Sequence, residues 1–534
     1  MFQQKTQIRR FRFPNYRLYN LNLGVITILL IYAFGWNLVM GSDGWLHQPT
    51  LRGDSAWFFM CGKSWMSGLI PYVDFTDSKG PLLWLIYGIG YMISPHNFYG
   101  VFIFEVISYW ITFYVVYRCA LLFLNKPSVA LCASMCVAPF YFFPGMHSEM
   151  RIEDFSHLFM ALTFYVFLKT IYFDEYNDKY ALLLGISAGC LLMMKYSLFF
   201  LVLLPALIIL AFLIKHRRRV SWFVIYFLSG CLLVVLPFAI YLLSVGAFDD
   251  FINEYFINTF KTIFNLRSEE SQSLTALRHR WPYRAVGLFF PTHFLATFLR
   301  FTLLGLIIIG YLCRKNLWFV FSIAIWYALS MLLLSMVDSE FYFFPLSVFT
   351  LGIGILCAKL FKNINLPGCI IWGGSLLLLL TLISMNYRYS FFYHTRRDAL
   401  VNESKEHIAK IINHTEFETG ERPTITYFEC LDLGEDILTN AVAGTKYWAL
   451  QAGMTDAMMH HHKNDILFKK PDFIIIEEVI KPQDKIDIET ISSQKAAEWK
   501  RLGDSIVYTY DPLPLFGEET RVRFLLSSRG TNPI

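Results

Sequence analysis

The stretch that follows the first long apolar run reads Arg52-Gly53-Asp54-Ser55-Ala56-Trp57, then Gly68-Leu69-Ile70-Pro71-Tyr72-Val73-Asp74, and then Asp77-Ser78-Lys79-Gly80-Pro81-Leu82-Leu83. It combines carboxylates, a lysine and Gly/Pro turn signals beside a segment long enough to cross a bilayer. Ionisable side chains next to a membrane are costly to place and often serve a function. The loop that contains them, residues 41–100, is therefore predicted to hold the functional site of a membrane protein.

The composition agrees with a membrane location. Of 534 residues, 55% are hydrophobic, 18% aromatic and only 16% charged, which is far more apolar than a soluble enzyme of this length. Apolar runs that predict spans lie at 21–40, 101–124, 129–143, 155–173, 198–214, 220–245, 294–313, 317–337, 341–360 and 369–385. A shorter and more polar run at 180–194 brings the prediction to about eleven transmembrane helices.

Positive charges give the orientation, because Lys and Arg in short loops stay on the cytoplasmic side. The basic clusters are Lys5 to Arg17, Arg118 with Lys126, Lys169 with Lys179, Lys215 to Arg219, Arg314-Lys315, and Lys359 with Lys362. All of these clusters lie on the cytoplasmic side if two conditions hold. The first span must run from inside to outside as a retained anchor, and the apolar run 81–93 must not cross the membrane. We therefore predict that 81–93 lies along the outer surface or dips in and returns. This bias also explains most of the formal charge of +5, so no nucleic-acid partner is predicted.

This topology predicts three external regions, at 41–100, 147–154 and 248–293, and an external carboxy-terminal part. Beyond residue 386 the chain is polar, with strand-like runs at 424–428, 473–476 and 506–510 and a helix-compatible stretch at 493–502. The prediction is a transmembrane catalytic domain over 1–385 and an extracytoplasmic α/β domain over 386–534. Cys61 and Cys430 fall outside the membrane and are assigned no role.

Asp54 and Lys79 are the leading candidate site residues. A carboxylate on an external loop has the chemistry of a general base that takes a proton from an attacking hydroxyl or amine. A lysine beside the Pro81 helix start has the chemistry of a fixed cation for a leaving phosphate. The alternatives are structural: Asp54 caps a helix that begins at Ser55, and Lys79 reaches towards lipid head groups. Replacing Lys63, in the same loop, with Ala is expected to have little effect on donor use.

The order of an early external Asp, a Gly68-x-x-Pro71-Tyr72 turn and a Lys79-x-Pro81-Leu82-Leu83 sequence resembles the GT-C superfamily of polytopic membrane glycosyltransferases. The similar groups are protein O-mannosyltransferases, lipid A aminoarabinose transferases and rhizobial lipopolysaccharide sugar transferases. The resemblance implies that Asp54 is the catalytic aspartate, that Lys79 meets the donor's lipid phosphate, and that 81–93 is a surface helix. It also implies a polyprenyl-phosphate sugar donor and reaction on the outer face.

One departure from that pattern concerns the residue before the lysine. The aminoarabinose enzymes commonly read Glu-Lys-Pro-Pro, whereas this chain reads Ser78-Lys79-Gly80-Pro81. Asp77 or Asp74 can replace the missing carboxylate, although each is equally well explained as a turn-forming Asp.

Two further external segments contain candidate binding residues. Glu149, Arg151, Glu153 and Asp154 resemble the acidic cluster that opens the fourth span in this superfamily, and are predicted to hold the acceptor, orient Asp54 or bind a divalent cation. The alternative is an interfacial ion pair. Arg278 and Arg280 are predicted to bind the donor phosphate, and generic contact with lipid head groups explains them as well. His460 to His462 are predicted to be surface residues, because consecutive side chains point in different directions and do not build a metal site alone.

The predicted function is an inverting glycosyltransferase that moves a sugar from a polyprenyl-phosphate donor to a glycan, lipid or protein acceptor. The predicted location is a bacterial inner membrane with the active site on the periplasmic face. The alternatives are a flippase or transporter, or a polymerase or ligase of lipid-linked surface polysaccharide. The charges cluster in external loops rather than within the spans, which favours surface chemistry over a pathway through the membrane. No cofactor is predicted with certainty, and a divalent cation is the one candidate.

Overall fold

A computed structural model describes the chain over residues 23–40, 45, 54–123, 126–135, 137, 150, 152–258, 316–334, 397–428, 430, 433–449, 456–480, 505–509, 513–514 and 520–527. The amino-terminal part is helical. Its α-helices are α1 Leu23–Met40, α2 Asp54–Met66, α3 Pro81–Ile93, α4 Tyr99–Leu121, α5 Pro127–Met135, α6 Ile152–Phe167, α7 Asp178–Met194, α8 Tyr196–Lys215, α9 Val220–Ser244, α10 Phe248–Phe251 and α11 Leu317–Leu334. Two of them continue as π-helical turns, α6 over Leu168–Tyr172 and α10 over Ile252–Asn258.

Within the described residues, four helical segments are long and apolar enough to cross a membrane, namely Tyr99–Leu121, Ile152–Tyr172, Tyr196–Lys215 and Val220–Ser244. The predicted runs at 101–124, 155–173, 198–214 and 220–245 coincide with them. Helices α1 and α11 occupy the predicted runs at 21–40 and 317–337. The runs at 294–313, 341–360 and 369–385 lie outside the described residues, so the number of about eleven spans stays a prediction.

The short run at 180–194 forms a real helix, α7, which packs closely against α9. Small residues allow this contact. An added Cβ at Gly185 would overlap the carbonyl oxygen of Phe227, and one at Gly230 would overlap that of Leu182. Glycines that let two backbones approach closely are common where helices pack in membranes. The sequence 180–194 is short and polar for a membrane span, which made its assignment difficult. Packing against α9 stabilises it as a helix.

The predicted surface helix is α3, with Gly80 as its N-cap and Pro81 in its first turn. It has 13 residues, about 20 Å at 1.5 Å per residue, which is too short for a bilayer core of about 30 Å. Gly62 and Gly88 bring α2 and α3 into backbone contact. Helices α2 and α3 therefore form one packed unit around the predicted external loop.

The carboxy-terminal part contains a mixed sheet with the strand order β2-β1-β3-β6-β4, in which β5 pairs with β6. The strands are β1 Thr424–Phe428, β2 Val442–Ala443, β3 Phe473–Ile480, β4 Ser505–Thr509, β5 Leu513–Pro514 and β6 Thr520–Ser527, and the helices are α12 Arg397–Thr419 and α13 Asp456–Lys469. β1 is parallel to β2 and β3, and β6 is antiparallel to β3, β4 and β5.

The strand-like runs at 424–428, 473–476 and 506–510 therefore correspond to strands β1, β3 and β4. The helix-compatible stretch at 493–502 lies outside the described residues. A domain boundary at 386 and an extracytoplasmic location remain predictions.

Candidate active site

Asp54 is the first residue of α2, and its side chain is exposed. The next residues of the helix, Ser55 and Ala56, are buried. Asp54 lies in the first turn of the helix as described. A carboxylate in the first turn is favourable for the helix dipole. Its exposure leaves the same carboxylate accessible to a substrate.

The Gly68-x-x-Pro71-Tyr72 motif builds the turn that leads from α2 to Lys79. Gly68 and Tyr72 both have positive φ, at 98° and 68°, a conformation that is natural for glycine and strained for tyrosine. The Tyr72 hydroxyl donates to the Lys79 carbonyl at 3.0 Å. Asp74 Oδ2 accepts the Ile70 N–H at 2.7 Å. This contact gives Asp74 the turn-forming role that was the alternative to a site role.

Asp77 is buried beside Lys79 and is only 6% exposed. Its Oδ1 accepts the Ser78 N–H at 2.5 Å and the Ser78 hydroxyl at 3.2 Å. Lys79 Nζ donates to the same hydroxyl at 2.9 Å and lies 6.0 Å from the ring centroid of Phe58. Ser78, which occupies the position of the family glutamate, thus connects the Lys79 ammonium to the Asp77 carboxylate.

The second oxygen of Asp77, Oδ2, is buried and has no hydrogen-bond partner among the described residues. Burial raises the pKa of this carboxyl above its usual range, and the negative charge of Asp54 adds to the rise. The positive charge of Lys79 and the hydrogen bonds from Ser78 oppose it. The charges of Lys79 and Asp54 therefore act on the Asp77 carboxyl in opposite directions.

A close backbone contact fixes this loop against the end of α7. The Gly80 N–H donates to the Met194 carbonyl at 2.8 Å, and an added Cβ at Gly80 would overlap the carbonyl of Met193. The departure from Lys-Pro-Pro therefore has a structural reason, since only glycine leaves both the space and the N–H that this contact uses.

The residue after Met194 is Lys195, which sequence reasoning missed. Its Nζ lies 3.5 Å from Glu153 Oε1, and both side chains are largely buried. The signal was present, because Lys195 is the only charged residue between positions 180 and 214. A lone ionisable residue in so long an apolar stretch indicates a functional or paired position.

The predicted acidic cluster is divided by the structure. Glu153 is paired with Lys195, next to the backbone that holds Gly80. Asp154 is 1% exposed and accepts the Tyr109 hydroxyl at 2.7 Å in the interface between α6 and α4. Glu149, Arg151, Arg278 and Arg280 lie outside the described residues. Glu153 is therefore the member of the cluster that the described structure connects to the loop of Lys79.

Sequence analysis did not predict the burial of Lys63, and its prediction that His462 is a surface residue is wrong. Lys63 is fully buried and donates hydrogen bonds to the carbonyl oxygens of Asp436 and Thr439. His462 is also buried, with Nε2 3.2 Å from the Tyr427 carbonyl oxygen, and burial lowers its pKa to about 4. His460 and His461 are exposed as predicted.

Metal ligation was a further candidate role for the acidic residues. Across the part of the chain that the structure describes, no group of three or more His, Cys, Asp or Glu side chains is arranged to hold a metal ion. Cys61 and Cys430 are both buried.

Comparison with known proteins finds similarity to a glycosyltransferase family over part of the chain. A model of the dolichyl-phosphate-mannose-protein mannosyltransferase family matches residues 78–241, from Ser78 beside Lys79 into α9. No curated protein matches the chain. The family match covers less than half of the chain and agrees with the predicted resemblance to the GT-C membrane glycosyltransferases. The long apolar helices indicate a multi-pass membrane protein.

The solved structures that match include two of ArnT from Cupriavidus metallidurans. The structure in the apo state has 11% sequence identity and a TM-score of 0.53, and the match covers 96% of this chain and 99% of that one. The structure bound to undecaprenyl phosphate has 11% identity and a TM-score of 0.50, with coverage of 94% and 97%. At this identity the likeness concerns the fold.

Proposed function

We propose that this protein is an inverting glycosyltransferase that takes a sugar from a polyprenyl-phosphate carrier on the outer face of the membrane. The observation that carries the proposal is that one packed unit of α2 and α3 presents both an accessible carboxylate, Asp54, and a hydrogen-bonded cation, Lys79. The match to ArnT bound to undecaprenyl phosphate supports a lipid-phosphate donor.

Each residue then has a defined step. The Asp54 carboxylate takes the proton from an acceptor hydroxyl or amine as its oxygen or nitrogen attacks the anomeric carbon. The bond from that carbon to the phosphate oxygen breaks on the opposite face, and its electron pair stays with the polyprenyl phosphate. Lys79 stabilises the charge that develops there, as a point cation on phosphate. Asp77 holds the ammonium in place through Ser78.

Segments that the charge pattern predicts to be external lie together at one end of the helices. The loop of Lys79 contacts the end of α7, and Lys195 at that end pairs with Glu153 at the start of α6. At the other ends of these helices, Arg218 pairs with Asp174 at 2.8 Å and Lys169 with Glu175 at 2.5 Å. This separation supports a site on the face opposite the basic turns, which is the periplasmic face of a bacterial inner membrane.

Two variants separate donor binding from chemistry. Lys79→Ala should weaken binding of undecaprenyl phosphate by roughly 10- to 100-fold, because a hydrogen bond to a charged group contributes about 1.5–3 kcal/mol. Asp54→Asn should leave this binding within about twofold and lower sugar transfer by roughly 10²- to 10⁴-fold, because Asn keeps the shape and the helix end but cannot accept a proton. Lys463→Ala, at an exposed position of α13, is the matched control.

Binding is measured on the purified protein in detergent. Transfer is measured as restoration of the surface glycan that differs between cells with and without this chain. Native transfer by Asp54→Asn would remove Asp54 from the mechanism and make Glu153 the next candidate. Equal loss of binding in Lys79→Ala and Lys463→Ala would show that general surface charge, rather than a placed cation, binds the phosphate.

A further inference from the structure

A segment of the carboxy-terminal part, residues 434–448, packs directly on α2. Lys63 Nζ donates to the carbonyl oxygens of Asp436 and, at 3.3 Å, Thr439. The Ser64 hydroxyl oxygen accepts the Ala443 N–H at 3.1 Å. We call residues 434–448 the docking segment.

An aromatic contact extends this interface to the first turn of α2. The ring centroids of Trp57 and Trp448 lie 4.7 Å apart. Trp57 and Ser64 are seven residues apart and therefore lie on the same helix face, and Asp54, three residues before Trp57, continues that face. The docking segment thus packs along α2 from Ser64 to Trp57, one turn away from the proposed base.

The docking segment also reaches the loop of Asp77. The Thr76 N–H donates to the Lys446 carbonyl at 2.9 Å. Lys446 Nζ pairs with Asp250 at 3.1 Å and with Glu254 at 3.0 Å. One short segment therefore contacts α2, the residue before Asp77 and the π-helical turn after α10.

Lys63 is the charged centre of this interface. Desolvation lowers its pKa to about 8, while the negative charge of Asp436 opposes that fall. Asp436 Oδ1 in turn accepts the Tyr427 hydroxyl at 3.0 Å. A buried cation is unfavourable unless it is paired and hydrogen-bonded, so these partners must be in register for the interface to close.

We propose that the docking segment is a positioning element of the external site and that Lys63 is the positioning residue that registers it on α2. Lys63 touches no reacting atom; it acts by fixing the helix that presents Asp54. The catalytic consequence rests on the proposed function, whereas the docking itself does not.

Docking is tested first, without any sugar donor. The hydrogen bond between Ser64 Oγ and the Ala443 N–H brings these positions within the range of an engineered disulfide. In the full-length protein in detergent, Ser64→Cys with Ala443→Cys should cross-link rapidly under mild oxidation, with the bond mapped by mass spectrometry because Cys61 is nearby in sequence. Lys63→Met in this background should slow cross-linking roughly tenfold, because it leaves Asp436 buried without its cation. Lys63→Arg, which keeps the charge, should fall between the two, and Lys463→Met should match the parent.

The effect on the site is tested next. Lys63→Met should lower sugar transfer roughly tenfold while affinity for undecaprenyl phosphate stays within about twofold. The reason is that only a minor fraction of the variant molecules would have the docking segment packed on α2 as transfer requires. Forming the 64–443 disulfide in the Lys63→Met protein should restore transfer, and a reductant should reverse the restoration. Loss of fold alone would instead lower donor binding in parallel.

Two results would overturn the proposal: native cross-linking in Lys63→Met, or a cross-linked Lys63→Met protein that remains inactive. If the Lys63→Met protein does not accumulate, Lys63→Arg is tested instead by its cross-linking rate and its sugar transfer. Native values for both quantities would overturn the proposal. A parent protein that transfers no sugar would refute the proposed function, while the cross-linking rates would still report on docking.

Discussion

Gly80 gives the sharpest test of how the site is held. Its N–H donates to the Met194 carbonyl at 2.8 Å, and an added Cβ would overlap the carbonyl of Met193. Gly80→Ala therefore forces the loop away from α7. Overpacking of this kind costs about 1–3 kcal/mol, and loss of the hydrogen bond adds about 0.5–1.5 kcal/mol, so the expected destabilisation is about 2–4 kcal/mol.

The functional effect should exceed the loss of stability, because Lys79 is the adjacent residue. A displacement of about 1 Å at a positioned group can lower a rate by about 10²-fold. Gly80→Pro, which recreates the Lys-Pro-Pro sequence of the related enzymes, should also be impaired, since proline adds the same Cβ and lacks the N–H.

The assay pairs the apparent unfolding temperature of the detergent-purified protein with transfer measured by glycan restoration. The matched control is Gly35→Ala in α1, where an added Cβ meets no atom within 4 Å; Ala favours a helix over Gly by about 1 kcal/mol, so this variant should keep or raise stability. Native stability and transfer in Gly80→Ala and Gly80→Pro would refute the reasoning that contact with α7 fixes the loop.

Two further predictions concern Asp77 and the topology. Because the pKa of Asp77 is raised in the folded protein above its ordinary value of 3.8, its contribution to stability is fully present below about that pH and is lost as the pH rises through the folded pKa. The unfolding temperature of Asp77→Asn should therefore match that of the parent near pH 4 and exceed it at neutral pH. Its sugar transfer should fall, because Lys79 loses its charged partner. A difference in unfolding temperature that does not change with pH would contradict this. For the topology, Gly68→Cys, Ser271→Cys and Ser492→Cys should react with an impermeant thiol reagent in spheroplasts above the background of the parent chain, and Arg218→Cys should not. Labelling only at position 218 would invert the orientation and remove the external site.

Local pattern was sufficient for most of the elements around the site. Apolar length predicted α4, α6, α8 and α9, short strand-like runs predicted strands β1, β3 and β4, and Gly80-Pro81 predicted the start of α3. These features depend on hydropathy and backbone preference over a few residues, which a sequence displays directly. The grouping of Asp54, Asp77 and Lys79 was predictable for the same reason, since all three lie within one loop.

The partners of charged residues were decided only by the tertiary structure. Lys63 reads as an ordinary loop lysine, and its partner Asp436 is 373 residues away. Likewise, Lys195 forms an ion pair with Glu153, and glycine is needed at position 80 because the backbone at the end of α7 lies against it. The sequence by itself determined a polytopic helical protein with a charged external loop and a strand-rich carboxy-terminal part. Only the packed structure decided which buried charges meet, because the energy of a buried charge depends on the partners that long-range folding brings to it, and no local pattern encodes them.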